Sequence, residues 1–234
     1  MNVAQRYAGF VAELAAELSA SGRRDRVDIV AISKRQPIEA IEAAAAAGIR
    51  AVGENYLQEA HAKFERLGPL PQLRKHYVGH VQTNKAKGIV ATFDVVQSVD
   101  RLEAAAALSR AAQSVGKRLP VLLQINVSPS ERFGCPPEEA EDLAEAVRGL
   151  DGLALEGVMA IGPVGGDPQA IVRSFELAAK TLGRVGGSTL SIGMSGDWRE
   201  AVRAGSTMLR LGTLLFGPRP ARRVSSPLEG ERSP

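Results

Sequence analysis

Eight short apolar segments, each set off from the next by a stretch with helical spacing, constrain this chain more than any other feature. They cover residues 27–33, 49–53, 77–81, 95–99, 121–127, 155–161, 189–193 and 208–211. In the first, Val27-Asp28-Ile29-Val30-Ala31-Ile32, apolar side chains do not alternate with polar ones. That suits a strand covered on both faces, as in a parallel sheet. Helical patterns over 37–47, 58–67, 101–115, 137–149, 171–182 and 198–204 fall between them. About eight βα units is the count that closes a (β/α)8 barrel, and 234 residues suffice for one with short loops. An open doubly wound sheet would normally carry a glycine-rich turn after its first strand, where this chain has Ser33-Lys34-Arg35-Gln36. The pattern therefore predicts an α/β protein, a single TIM barrel over residues 1–217. An extra amphipathic helix over 2–19 precedes the first strand, with Val3, Tyr7, Phe10, Val11, Leu14 and Leu18 at helical spacing. Past Gly217 the composition turns to Pro, Arg, Ser and Glu, and residues 218–234 are expected to form a mobile tail.

Composition excludes several function classes. A net charge of +3, with basic residues spread along the chain and 4% aromatic residues, does not argue for nucleic-acid binding. No segment is apolar enough to span a bilayer, and the first ten residues hold no signal-peptide core. A single cysteine, Cys135, excludes an internal disulfide framework and Cys-x-x-Cys metal sites. A cytosolic protein with no membrane or nucleic-acid partner and no metal site is expected.

Polar residues and glycines gather just after the expected strands. Lys34 lies where the first strand gives way to its loop, and Pro37 fits the first turn of the next helix. Gly53-Glu54-Asn55-Tyr56 follows the second, and His76-Tyr77-Val78-Gly79-His80-Val81-Gln82-Thr83-Asn84-Lys85 surrounds the third. Met159 lies on the sixth, Gly193-Met194-Ser195-Gly196-Asp197 follows the seventh, and Arg210-Leu211-Gly212-Thr213 is on the eighth. Ser195 offers a hydroxyl, while Gly212 and Thr213 offer backbone N–H groups that an anion can approach closely. Loops after strands seven and eight are the usual phosphate site of such barrels. Strand eight neighbours strand one in a closed barrel, so one compact ligand could span from those loops to Lys34. Pyridoxal 5′-phosphate (PLP), an aldehyde bearing a phosphate, fits both ends. Arg210 is the candidate partner of its pyridine nitrogen. A guanidinium can only donate there, which leaves the ring unprotonated and a poor electron sink.

With these motifs in this order, the chain resembles the pyridoxal phosphate homeostasis protein family, whose members look like the barrel domain of alanine racemase standing alone. The resemblance covers roughly residues 5–217. It implies that Lys34 holds PLP as a Schiff base, that Ser195, Gly212 and Thr213 contact the phosphate, and that Arg210 meets the pyridine nitrogen. It also implies Asn55 beside the ring, with Met159 and either His76 or Gln82 nearby. Arg132 stands where family members usually carry lysine, which puts any role needing a lysine there in doubt. The implied function is PLP storage, buffering or delivery to apo-enzymes, without catalysis, by a monomer. A single-domain amino-acid racemase is the alternative. It needs an acid/base on each face of the α-carbon, and Tyr56 is the one available substitute among Tyr7, Tyr56 and Tyr77. A phosphosugar-type barrel enzyme would need a carboxylate pair at strand ends. Asp94 instead opens strand four, and Asp100 and Asp197 are expected to cap helices.

Overall fold

The computed structural model describes residues 1–128, 133–163, 165 and 167–218. Its strands are β1 (Asp28–Ile32), β2 (Ala51–Glu54), β3 (Arg74–Tyr77), β4 (Val95–Val99), β5 (Leu119–Ile125), β6 (Leu153–Ala160), β7 (Thr189–Ser191) and β8 (Met208–Leu211). They close into a parallel barrel in chain order. β8 returns to pair with β1, Val30 opposite Arg210 and Ala31 opposite Leu211. All five residues of β4 are buried, Gln97 and Ser98 included, as a strand covered on both faces inside a helical shell requires.

The helices are α1 (Val3–Ala20), α2 (Ile38–Ala46), α3 (Leu57–Arg66), α4 (Ala86–Thr92), α5 (Leu102–Gln113), α6 (Ala140–Arg148), α7 (Pro168–Val185), α8 (Trp198–Arg203) and the single turn α9 (Thr213–Phe216). Asn2 starts α1 with a capping box: its Oδ1 accepts from Gln5 N at 2.9 Å, and Gln5 Oε1 accepts from Asn2 N at 3.1 Å. The apolar face of α1 buries Phe10 and Leu14, and the Phe10 ring stands edge-on to Trp198 with centroids 5.0 Å apart. Arg199 and Arg203 on α8 reach Glu13 and Glu17 on α1 at 2.6 and 2.7 Å. Among the described residues no helix is long and apolar enough to cross a membrane.

Two expectations shift. The third strand is the polar run Arg74–Tyr77, with His76 beside Gly53 and Val95, while residues 78–81, Val78 and Val81 among them, pass into the following loop. There Val81 is buried. Gly79 packs so tightly that a Cβ would lie 2.0 Å from Asn55 O, so apolarity marks a packed loop rather than a strand. Pro37 is the N-cap of α2, one position before the first turn, at φ −71° and ψ 166°. The tail expected to be mobile falls almost entirely outside the described residues, as does Arg132.

Candidate functional site

The C-terminal rim of β1 and β2 is fixed by one buried ionic cluster. Ser33 and Glu54 are fully buried, and the Ser33 hydroxyl donates to Glu54 Oε1 at 2.7 Å. Lys63, reaching in from α3, donates to Glu54 Oε1 at 2.8 Å, to Ser33 O at 2.8 Å and to Glu59 Oε1 at 2.6 Å. Glu59 Oε1 also accepts from Arg35 N at 2.5 Å, and Arg35 sits in the left-handed region at φ +62°. Both neighbours of Lys34 are thus pinned, and an unfavourable backbone conformation is held in place by the contacts around it. Burial raises the Glu54 pKa, and the Lys63 ammonium opposes that rise. Glu54 Oε2 and Asn55 Oδ1, on the strand end paired with that of β1, are buried without a hydrogen-bond partner.

On the other side of β1, the loops after β7 and β8 meet at Ser195. Its hydroxyl oxygen accepts from Gly212 N at 3.2 Å and Leu214 N at 3.3 Å. Two backbone N–H groups therefore converge on one small polar group, the geometry that receives an anion. Thr213, between them, is exposed and opens α9. Gly193 turns the β7 loop at φ +93°, where a Cβ would come within 2.5 Å of Ala201 Cβ and 2.7 Å of Leu209 Cδ2. Asp197, expected to cap α8, makes no capping bond. Its Oδ1 instead accepts from Met194 N at 2.5 Å, bracing the loop from within.

Arg210 is 4% exposed. Its Nη1 donates to Ser191 O at 2.7 Å and Ser191 Oγ at 2.8 Å, and its Nη2 donates to Ala160 O at 2.8 Å. The guanidinium so lies at the last residues of β6 and β7, with Nε–H and one Nη2–H left to donate. Burial lowers its pKa to about 10, with Asp197 opposing, so it stays cationic at neutral pH. Met159 is buried on β6 opposite Ser191. From Ser191 a polar chain descends through the barrel. The Ser191 hydroxyl donates to Gln97 Oε1 at 2.7 Å, and Gln97 Nε2 meets His76 Nδ1 at 2.7 Å.

The structure therefore gathers Lys34, Asn55, Ser195, Gly212 and Thr213 on the adjoining strand ends of β7, β8, β1 and β2, with Arg210 and Met159 in the barrel core. It corrects the expectation for His76, which sits lower in the barrel at the end of the polar chain. Gln82 and Asn84 are exposed. Asp100 pairs with Arg101 rather than capping α5. Sequence reasoning missed Lys63, Glu59, Gln97 and Ser191. The i,i+4 spacing of Glu59 and Lys63 on α3 was a usable signal for the first pair. The other two are single polar residues in apolar strands, and their register could not be read beforehand.

Fold and rim together place the chain among the barrels of the alanine racemase N-terminal domain, whose family model matches residues 15–220. A pyridoxal phosphate homeostasis protein of Pseudomonas aeruginosa is 41% identical over 221 residues, covering 93% of this chain and 96% of its own. One from Escherichia coli is 37% identical over 227 residues, covering 89% and 95%. This chain belongs to the pyridoxal phosphate homeostasis protein family. Among solved structures, PipY of Synechococcus elongatus, determined with PLP bound, superposes at TM-score 0.83 and 33% identity, covering 92% of this chain and all of that one. An alanine racemase of Clostridium difficile, at 15% identity and TM-score 0.70, shares the fold.

Proposed function

We propose that this chain binds pyridoxal 5′-phosphate and serves its homeostasis, storing or buffering the cofactor and delivering it to apo-enzymes without turning over a substrate of its own. The observation that carries this reading is the convergence of three different chemistries on one end of the barrel, two on its rim and one in the core beneath. An amine on a pinned loop, paired backbone donors at Ser195, and a buried guanidinium with donors to spare match an aldehyde, a phosphate and a pyridine nitrogen. The orphaned Asn55 Oδ1 fits a ligand that brings a donor of its own. PLP, when bound, supplies an aldehyde for an amine and a ring that draws electrons from what is attached to it.

In this reading Lys34 joins the aldehyde, and Asn55 lines the ring beside it. Ser195, Gly212 and Thr213 hold the phosphate. Arg210 donates to the ring nitrogen and, being a cation that cannot accept, keeps a proton off it. Met159 packs nearby. The buried cluster of Glu54, Lys63 and Glu59 orients the loop that carries Lys34.

A racemase needs a second proton donor facing Lys34. Tyr56 is 48% exposed, and the Tyr77 hydroxyl is spent on His80 O at 3.0 Å. Tyr7 lines a cavity at the opposite end of the barrel. Tyr77 and Tyr7 are thus committed elsewhere and Tyr56 is half exposed to solvent, which favours a carrier. We further propose a cytosolic monomer of one barrel domain, residues 1–217, with the remainder as an appended tail. The test mixes the loaded protein with an apo PLP-dependent enzyme in the presence of a trap for free cofactor. Activity recovered despite the trap supports delivery; recovery only without the trap contradicts direct hand-over. Turnover of any amino acid by the loaded protein alone contradicts the non-catalytic reading.

A further inference from the structure

At the N-terminal ends of the strands, away from Lys34, a cavity of about 600 Å³ lies among α1 and the starts of β1, β2, β3 and β8. That size is typical of a small-molecule pocket. This face of a barrel ordinarily serves stability alone, yet three arginines line the cavity here: Arg26, Arg50 and Arg74. Arg26 pairs with Asp28 at 3.1 Å. The guanidiniums of Arg50 and Arg74 have no hydrogen-bond or ion-pair partner among the described residues. Arg50 immediately precedes β2 and Arg74 opens β3, and a 2.9 Å bond from Arg74 N to Arg50 O joins their backbones. Two guanidiniums lining one cavity can each present a planar fork to the oxygens of a phosphate. Tyr7 and aliphatic side chains supply walls for an apolar body.

The floor is His76. Its Nδ1 accepts from Gln97 Nε2, so in the neutral ring the proton is on Nε2, the ring nitrogen that Gln97 leaves to another partner. The ring is neutral at physiological pH, because burial first, and then the Arg74 charge, lower its pKa to about 3.

We propose that this cavity is a second ligand site, for a small phosphate monoester with an apolar body, gripped by Arg50 and Arg74 and met on its floor by His76. Through Gln97 and Ser191 the same imidazole is joined to Arg210, so a ligand drawing on its Nε2–H acts on the guanidinium at the far end of the barrel. That link, unlike the site itself, rests on the cofactor reading above.

The experiment titrates phenyl phosphate into the full-length protein without PLP and follows the ring protons of its three histidines by NMR. The His76 signals should shift saturably, with affinity at least about tenfold weaker in R50Q/R74Q. No saturable shift at His76, or an unchanged affinity in R50Q/R74Q, overturns the site, even if calorimetry detects the probe bound at the Ser195 loops. In protein loaded with PLP, the probe should move the cofactor absorption band in wild type and not in Gln97→Leu. A His76 shift with an unmoved band overturns the link to Arg210. Failure of the cofactor reading shows separately, as absence of any protein-bound cofactor band before the probe is added.

Discussion

Burial lifts the Glu54 carboxyl toward its protonated form, while the Lys63 ammonium 2.8 Å away holds it charged. Because Glu54 is fully buried, removing its cation leaves a charge with nothing to balance it. Lys63→Met should therefore cost on the order of 3 kcal/mol in denaturant unfolding and loosen the turn that carries Lys34; a loss near zero would show that the cluster does not pin that turn. His76 gives a pH signature of opposite sense. Its folded-state pKa of about 3 lies below the ordinary 6.5. Its contribution is therefore fully present above pH 6.5 and lost as pH falls from there toward 3. The proton taken up on unfolding is worth on the order of 5 kcal/mol across that window. His76→Gln keeps an acceptor for Gln97 but does not titrate, so its stability should fall less steeply between pH 6.5 and 3 than that of wild type. Parallel slopes would contradict a buried neutral imidazole.

Among the elements, two glycines on neighbouring loops separate folding from binding. Gly193 has φ +93° and no room for a Cβ, whereas at Gly212 a Cβ would meet Ile32 O at 3.6 Å, an ordinary contact. Gly193→Ala should lower stability by about 2–4 kcal/mol. Gly212→Ala should change it by less than about 1 kcal/mol yet weaken PLP binding by crowding the backbone donors, as calorimetric titration would show. Equal loss of stability in both would refute the distinction. The elements themselves were largely legible. Runs dominated by apolar residues mark β1, β4 and β5, and Met208–Leu211 is both the expected and the observed eighth strand. The pattern failed at β3, where Arg74, Lys75 and His76 form the strand because its register against β2 and β4, not its hydropathy, decides the pairing. The short α4 after it was not anticipated. The rim residues were legible because strand ends expose their chemistry. Gln97 and Ser191 were not, because a polar residue on a buried strand acquires its partner only when the barrel closes.

For the whole molecule, the two ends of the barrel are differently built. The C-terminal rim carries Lys34 on its braced turn and the loops that meet at Ser195, while α1 lies at the N-terminal end and latches onto α8. The buried part of that latch is the Phe10–Trp198 contact, so Phe10→Ala should cost about 3 kcal/mol and shift the emission of Trp198, the chain's one tryptophan, to the red by admitting water. Unchanged emission would mean that the Phe10–Trp198 contact does not shield the indole. The central claim concerns the other end, and an absorption spectrum of the purified protein with added PLP, run beside Lys34→Ala, tests it most directly. Wild type should show a protein-bound band that borohydride bleaches and that Lys34→Ala lacks. A wild-type spectrum identical to that of free cofactor would contradict it, leaving Lys34 a loop lysine and the barrel without its chemistry.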